Sequence, residues 1–248
     1  MPKSDYEEAV NHKYRTVTGG PKIPGVTSVI GIIDKPALKW ASAKIAATTA
    51  VDLYPEMRDR DEFIHLCRGE FDRVWREKAK RGNRVHSVAE EWARGNTVEV
   101  PLSDQGFVDA LESFYRDHTP VTLMAERIVA HSYLGYGGRF DAIMEIDGSR
   151  FLIDFKTGGH YPIDVAMQTS AYMAASLAMF DAEGSLVGFE RLPALDGARI
   201  LYLAEDGSYD LVDPFEDISR EKAFAAFCHA LGLFCSIREM EKMTKEKK

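Results

Sequence analysis

Apolar residues recur at helical spacing over the first half of the chain, and strand-like alternation begins near residue 121. Four helices are predicted in the first half. Pro36 divides the first, and Gly82-Asn83 separates the second from the third. Their ranges are 27–52, 61–80, 83–94 and 103–118, with Gly95-Asn96 ending the third and Ser103 as N-cap of the fourth.

The second half of the chain predicts a mixed sheet. A strand is expected over 121–132, followed by a hairpin turning at Asp147-Gly148. A helix at 162–180, a second hairpin made of 198–204 and 208–212, and a final helix at 217–240 complete the series. This order predicts an α/β fold with a helical N-terminal extension. No linker-like stretch interrupts it, so a single domain is predicted: extension 1–80, core 81–213, and C-terminal helix with basic tail 214–248.

The first hairpin carries the candidate chemistry. A two-residue turn at Asp147-Gly148 places Asp141 directly across from Asp154, with Lys156 on the same face. Opposed carboxylates repel each other unless they share a proton or a cation, and a divalent ion bridges such a pair well. An Asp–Lys–Asp cluster on a solvated sheet face is the alternative. The apolar residues on both sides of Asp154 favour burial and hence function.

Composition narrows the classes of function. The net charge is −8, yet residues 73–84 hold six basic residues and one glutamate, and four lysines lie in the tail from Lys242. Such runs bind phosphates or form a solvated helix face. The three scattered cysteines suit a reducing cytoplasm. The N-terminus has no signal-peptide pattern, and no apolar run of about 18 residues predicts a membrane span.

Four motifs in order resemble the RecB-like branch of the PD-(D/E)XK nucleases. They are 81-RGNRVHSVAEEW-92, 137-GGRFD-141, 152-LIDFKTG-158 and the pair Gln168 and Tyr172, which share a helix face. The stretch GVTSVIGIIDKPALKWA also resembles the start of phage-encoded exonucleases of this branch. The resemblance covers residues 81–172 and implies a restriction-endonuclease-like core, a central mixed sheet flanked by helices.

The resemblance also implies roles for individual residues. Lys156 would orient or deprotonate the attacking water and stabilise charge on the phosphate. The metal ligands would be His86, Asp141, Asp154 and the backbone carbonyl of Phe155, and the residues near substrate would be Gln168 and Tyr172. From the basic run, Arg81 and Arg84 are expected to contact the DNA backbone. Glu90 and Glu126 are candidates for acids just outside the metal ligands, and the sequence leaves their roles open.

The resulting hypothesis is a Mg²⁺-dependent deoxyribonuclease in which Mn²⁺ substitutes, an exonuclease of phage or bacterial recombination, end processing or degradation. The expected partners are DNA and a recombination or single-strand-binding protein, in the bacterial cytoplasm and without a membrane. Three cysteines exclude a four-cysteine iron–sulfur cluster, and no Walker loop predicts a nucleotide cofactor. Alternatives are an inactive nucleic-acid-binding module on the same fold, a structure-specific endonuclease, and a hydrolase of another substrate.

Overall fold

The computed structural model describes residues 14–15, 22–54, 59–96, 98–158 and 162–245. Helices flank a mixed sheet in these residues, as the α/β prediction requires. The helices are α1 (Val26–Ile30), α2 (Pro36–Leu53), α3 (Arg60–Ala93), α4 (Gln105–His118), α5 (Pro162–Met173) and α6 (Arg220–Lys245). The strands are β1 (Tyr14–Arg15), β2 (Lys22–Ile23), β3 (Val121–His131), β4 (Tyr136–Ile146), β5 (Ser149–Lys156), β6 (Ser176–Phe180), β7 (Leu186–Glu190), β8 (Gly197–Leu203) and β9 (Tyr209–Val212).

A seven-stranded sheet forms the centre, in the order β7-β6-β3-β4-β5-β8-β9. Strands β3, β4 and β5 pair antiparallel, and β5 pairs parallel with β8. The parallel pair needs a crossover, which α5, β6 and β7 supply. Strands β4 and β5 lie in the interior of the sheet and are largely buried, which explains their long apolar runs.

The hairpin of β4 and β5 has the predicted register. Asp147 and Gly148 both have positive φ, 51° and 78°, as a two-residue type I′ turn requires. The ladder runs from Ile146 opposite Ser149 to Ala142 opposite Ile153. The second predicted hairpin also forms, with β8 and β9 joined through a turn that contains Gly207 at φ 86°.

Two predicted helix boundaries are wrong. Gly82-Asn83 does not stop a helix, because α3 runs unbroken from Arg60 to Ala93. An interior glycine costs a helix only about 1 kcal/mol, and the packing of the helix outweighs it. Gly95 does end the helix, with φ 83° and its N–H bonded to Trp92 O. Ser103 is not an N-cap either, since a 3₁₀ turn, Leu102–Asp104, precedes α4.

The helix predicted over 162–180 is too long. Helix α5 ends at Met173, and the apolar run beyond it forms β6. Leu177 pairs with Val129 of β3, and Ala178 pairs with Phe189 of β7, a strand the sequence analysis did not predict. The segment is a strand because distant chain segments pair with it, which local periodicity does not reveal.

The chain separates into two compact units. One contains the residues up to Ile32 together with those from His86 onward, and the other is Ile33–Val85. The larger unit holds the seven-stranded sheet, and the smaller one holds α2 and the first part of α3. The single nuclease domain stays a prediction.

One described helix, α6, is long and apolar enough to cross a membrane by length and composition. It packs against α5 and buries Phe227, Leu231 and Phe234. Tyr136 of β4 lies edge-on to Phe227, with ring centroids 4.8 Å apart. A core helix of a soluble protein passes the same test of length and composition.

Candidate active site

The two aspartates of the hairpin are buried on neighbouring strands. Asp141 of β4 is 7% exposed and Asp154 of β5 is 2% exposed. Ala142 and Ile153 form the last pair of the ladder, and Asp141 and Asp154 are the next residues beyond it on the two strands. Continuing the register therefore places the two aspartates opposite each other. Strands lie about 4.8 Å apart, which brings the two carboxylates close together. The solvated-face alternative is therefore wrong.

Helix α3 brings His86 to this pair. Its Nε2 lies 2.8 Å from Asp141 Oδ2, and the same oxygen accepts the N–H of Phe155 at 2.8 Å. The His86 ring also lies edge-on to the Phe155 ring, with centroids 6.0 Å apart. Asp141 is thus held from a helix and from the neighbouring strand at once.

Asp154 has a different set of neighbours. The Nζ of Lys156 lies 2.5 Å from Asp154 Oδ2, a contact with ion-pair distance but without hydrogen-bond geometry. Gln168 of α5 donates from Nε2 to Asp154 Oδ1 at 3.1 Å and to the Tyr172 hydroxyl at 3.3 Å. Of the predicted site residues, His86, Asp141, Asp154, Phe155, Lys156, Gln168 and Tyr172 come together.

The two glycines of the GGRFD motif let aromatic rings approach the sheet backbone. A Cβ on Gly138 would lie 2.3 Å from Cε1 of Tyr172, and one on Gly137 would lie 2.8 Å from Cγ of Tyr14. No side chain fits at either position without displacing a ring. Gly138 therefore allows Tyr172 to pack on β4 while its hydroxyl reaches Gln168.

A third carboxylate, Glu126 of β3, adjoins the pair. Its side chain is 5% exposed, its Oε1 lies 3.9 Å from His86 Nδ1, and its Oε2 lies 2.8 Å from Arg139 Nε. Its backbone has φ 51°, uncommon for a residue other than glycine. Its role was left open by the sequence. The available signal was weak, an acid directly before Arg127 in β3, and its significance depends on the pairing of β3 with β4.

Burial and mutual repulsion set the protonation of this cluster. Burial opposes the charged form of His86, but Asp141, Glu126 and Asp154 outweigh it and raise its pKa to about 9. Burial, reinforced by Asp141, raises the pKa of Glu126 to about 7, although Arg139 opposes the shift. Without a metal ion, the acids are therefore balanced by protons and cationic side chains.

The pKa of Asp141 is lowered, whereas the pKa values of Asp154 and Lys156 are raised. Burial would raise the pKa of Asp141, but His86 and then Lys156 outweigh it and lower the pKa. Burial raises the pKa of Asp154, and the charge of Asp141 adds to the shift while Lys156 opposes it. Burial disfavours the ammonium of Lys156, yet Asp154 and Asp141 raise its pKa, so it stays charged.

The donor set suits a divalent cation. His86, Glu126 and Asp141 form a group whose ligand atoms all lie within 4.8 Å of one another. Buried oxygens of Glu126 and Asp154 lack a hydrogen-bond donor in the part of the chain that the structure describes. Unsatisfied buried carboxylate oxygens are costly, and a hard cation satisfies them.

Two predicted residues lie outside this cluster's unit. Arg81 and Arg84 belong to the smaller unit, Ile33–Val85, and both make interactions there or elsewhere in the chain. Their contact with DNA stays a prediction.

No protein-family model matches the chain, and a search of the curated proteins finds no match.

Proposed function

We propose that the protein is a metal-dependent nuclease that hydrolyses phosphodiester bonds of DNA, acting as an exonuclease. The observation that carries the proposal is the placement of Asp141, Asp154 and Lys156 on one face of two adjacent strands, with His86 in contact. Two buried acids with a half-buried lysine and a half-buried histidine at one point of a sheet are expensive to hold and support a functional site.

The surrounding fold supports the same class. The antiparallel meander of β3, β4 and β5, followed by α5 and by β8 parallel to β5, supports a restriction-endonuclease-like core. We propose that the chain has this core and belongs to the RecB-like branch of PD-(D/E)XK nucleases. The motif residues of that resemblance converge in space, although they are spread over about 90 residues of sequence.

A Mg²⁺ or Mn²⁺ ion held by Asp141, Asp154, His86 and the Phe155 carbonyl would polarise the phosphate and lower the pKa of bound water. Lys156 supplies a positive charge beside Asp154 and stabilises negative charge on the phosphoryl oxygens. Gln168 fixes Asp154 through Oδ1, and Tyr172 fixes Gln168 in turn. The burial of the cluster strengthens each of these interactions.

The test is cleavage of end-labelled linear duplex, linear single strand and closed circular DNA, with Mg²⁺, Mn²⁺ or EDTA. Asp154→Ala and Lys156→Ala should each lower the cleavage rate at least about 100-fold. Glu145→Gln is the matched control. Glu145 lies on β4 beside an exposed arginine, Arg150, and its loss should leave the rate unchanged.

Each substrate separates one alternative. Loss of linear DNA only, in the presence of metal, supports an exonuclease. Cutting of the closed circle would replace it with an endonuclease. Binding of DNA without cleavage of any substrate by the unchanged protein would refute the enzyme and favour a binding module on this fold.

A further inference from the structure

Three carboxylates form a row across three adjacent strands. Glu126 on β3 lies opposite Asp141 on β4, because Ala125 pairs with Ala142 and Arg127 pairs with Phe140 on either side. Asp154 on β5 follows on the far side of Asp141. The central acid therefore has a carboxylate on each side, and the row offers two distinct places for positive charge.

The β5 side of the row is supplied with a hydrogen-bond donor at Asp154 Oδ1, although Asp154 Oδ2 has none among the described residues. Asp154 has the ammonium of Lys156 against Oδ2 and the amide of Gln168 against Oδ1. The β3 side differs. Glu126 is 5% exposed, and neither of its oxygens has a hydrogen-bond donor among the described residues. Arg139 approaches Oε2 at 2.8 Å, but without hydrogen-bond geometry, and Oε1 faces His86.

His86 lies between the two acids of the β3 side. Its Nε2 is 2.8 Å from Asp141 Oδ2, and its Nδ1 is 3.9 Å from Glu126 Oε1. Ligands on opposite sides of an ion with bonds of about 2.2 Å are about 4.4 Å apart. Each of the three residues offers one ligand atom, and these atoms all lie within 4.8 Å of one another, so an ion that replaces the proton between His86 and Asp141 reaches all three after a small side-chain movement. One imidazole and two carboxylates suit Mn²⁺ better than Mg²⁺, which prefers oxygen ligands and water.

We propose that His86, Glu126 and Asp141 form a divalent-cation position of their own, on the β3 side of Asp141, that prefers Mn²⁺ to Mg²⁺. Asp141 then serves two positions, one shared with His86 and Glu126 and one shared with Asp154 and the Phe155 carbonyl, so His86 belongs to the Glu126 position when both are occupied. What this ion does chemically rests on the proposed function, whereas its binding does not.

The experiment measures Mn²⁺ binding to the full chain, without nucleic acid, by calorimetry and by the electron paramagnetic resonance signal of free Mn²⁺. Glu126→Gln preserves shape and removes the charge, and it should weaken one Mn²⁺ site at least about tenfold. Glu90→Gln is the matched control. Glu90 lies one turn after His86 on α3, pairs with Arg94, and is outside the group. Asp154→Asn should leave the Glu126-dependent site in place.

A second measurement is made on the unchanged protein, and a variant serves only to assign the resonances. Mn²⁺ added to the unchanged protein should broaden the ring-proton resonances of His86, and excess Mg²⁺ should reverse this only at a concentration at least about tenfold higher. His86→Gln assigns the resonances. Unchanged Mn²⁺ affinity and stoichiometry in Glu126→Gln, or Mg²⁺ competing on equal terms, would overturn the proposal.

The result is separable from the proposed function. Mn²⁺ binding that requires Glu126, in a protein that cuts no DNA, refutes the nuclease and leaves this position standing. Cleavage that requires Asp154, together with Mn²⁺ binding that does not depend on Glu126, supports the nuclease and refutes this cation position.

Discussion

Without metal ions, the folded protein should lose stability between about pH 7 and pH 9.5 because of one histidine. The carboxylates around His86 raise its pKa from 6.5 to about 9 despite its burial. A group whose pKa is raised by folding contributes stability that is fully present below the unfolded pKa and is lost as the pH rises through the folded pKa. The loss of stability therefore begins near pH 6.5, the unfolded pKa, and continues through about pH 9, the folded pKa.

The size of this loss follows from the pKa difference. A rise from 6.5 to about 9 corresponds to about 3 kcal/mol at about 1.4 kcal/mol for each unit. The imidazole is 34% exposed, and solvent screening weakens its ion pairs. We therefore expect about half of that value, a loss of about 1.5 kcal/mol across this pH range.

Urea denaturation in EDTA at about pH 7 and about pH 9.5 measures the loss. His86→Gln keeps a donor for Asp141 but does not titrate, so the unchanged protein should lose about 1.5 kcal/mol more than this variant. His229→Gln, which replaces an exposed histidine of α6, should behave as the unchanged protein does. Equal losses in the unchanged protein and in His86→Gln would refute the reasoning.

Four further substitutions test the backbone and the packing by chemical denaturation. Gly69→Ala should stabilise the protein by about 1 kcal/mol, because Gly69 lies inside α3 with nothing near a new Cβ. Gly95→Ala, at φ 83°, should destabilise the protein by about 1 kcal/mol. Equal effects at Gly69 and Gly95 would contradict the end of α3 at Gly95. Gly138→Ala should cost at least about 2 kcal/mol because its Cβ meets the Tyr172 ring, and normal stability would mean that the ring moves freely. Tyr172→Phe should cost about 1 kcal/mol and leave folding intact, since it removes only the hydroxyl that Gln168 contacts.

The hairpin and its site could be predicted because their signals are local. Asp147-Gly148 determines the turn, the turn determines the register, and the period of two places Asp141 opposite Asp154. The spacing of Gln168 and Tyr172 predicted that they share a helix face, and the resemblance implied their place near the site. Neither step needed the position of a distant segment.

The remaining features depend on non-local pairing. Residues 176–180 form a strand because β3 and β7 flank them, although their composition is equally helical. Glu126 becomes part of the site because β3 pairs with β4 and because its backbone adopts φ 51°. A left-handed residue within a strand has no sequence signal when it is not glycine. The contact of Glu126 with His86 was therefore visible only in the folded chain.

The two aspartates should respond in opposite ways to neutralisation, which tests whether the site is maintained for folding or for binding. Asp141 accepts hydrogen bonds from His86 and from the Phe155 N–H, and its lowered pKa means that its charged form stabilises the fold. Asp141→Asn should therefore cost about 3 kcal/mol in EDTA at about pH 7.

Burial and Asp141 raise the pKa of Asp154, so stability associated with its protonated form is lost as the pH rises through the folded pKa. Asp154→Asn mimics the protonated acid, and Asp141 remains to balance the charge of Lys156, so the free energy of unfolding should rise by about 1 kcal/mol under the same conditions. Mg²⁺ should then stabilise the unchanged protein more than Asp154→Asn. If Asp154→Asn destabilised the protein as much as Asp141→Asn, the second acid would be structural. A gain of stability together with loss of the Mg²⁺ effect would mean that Asp154 weakens the fold and is kept for the ion it holds.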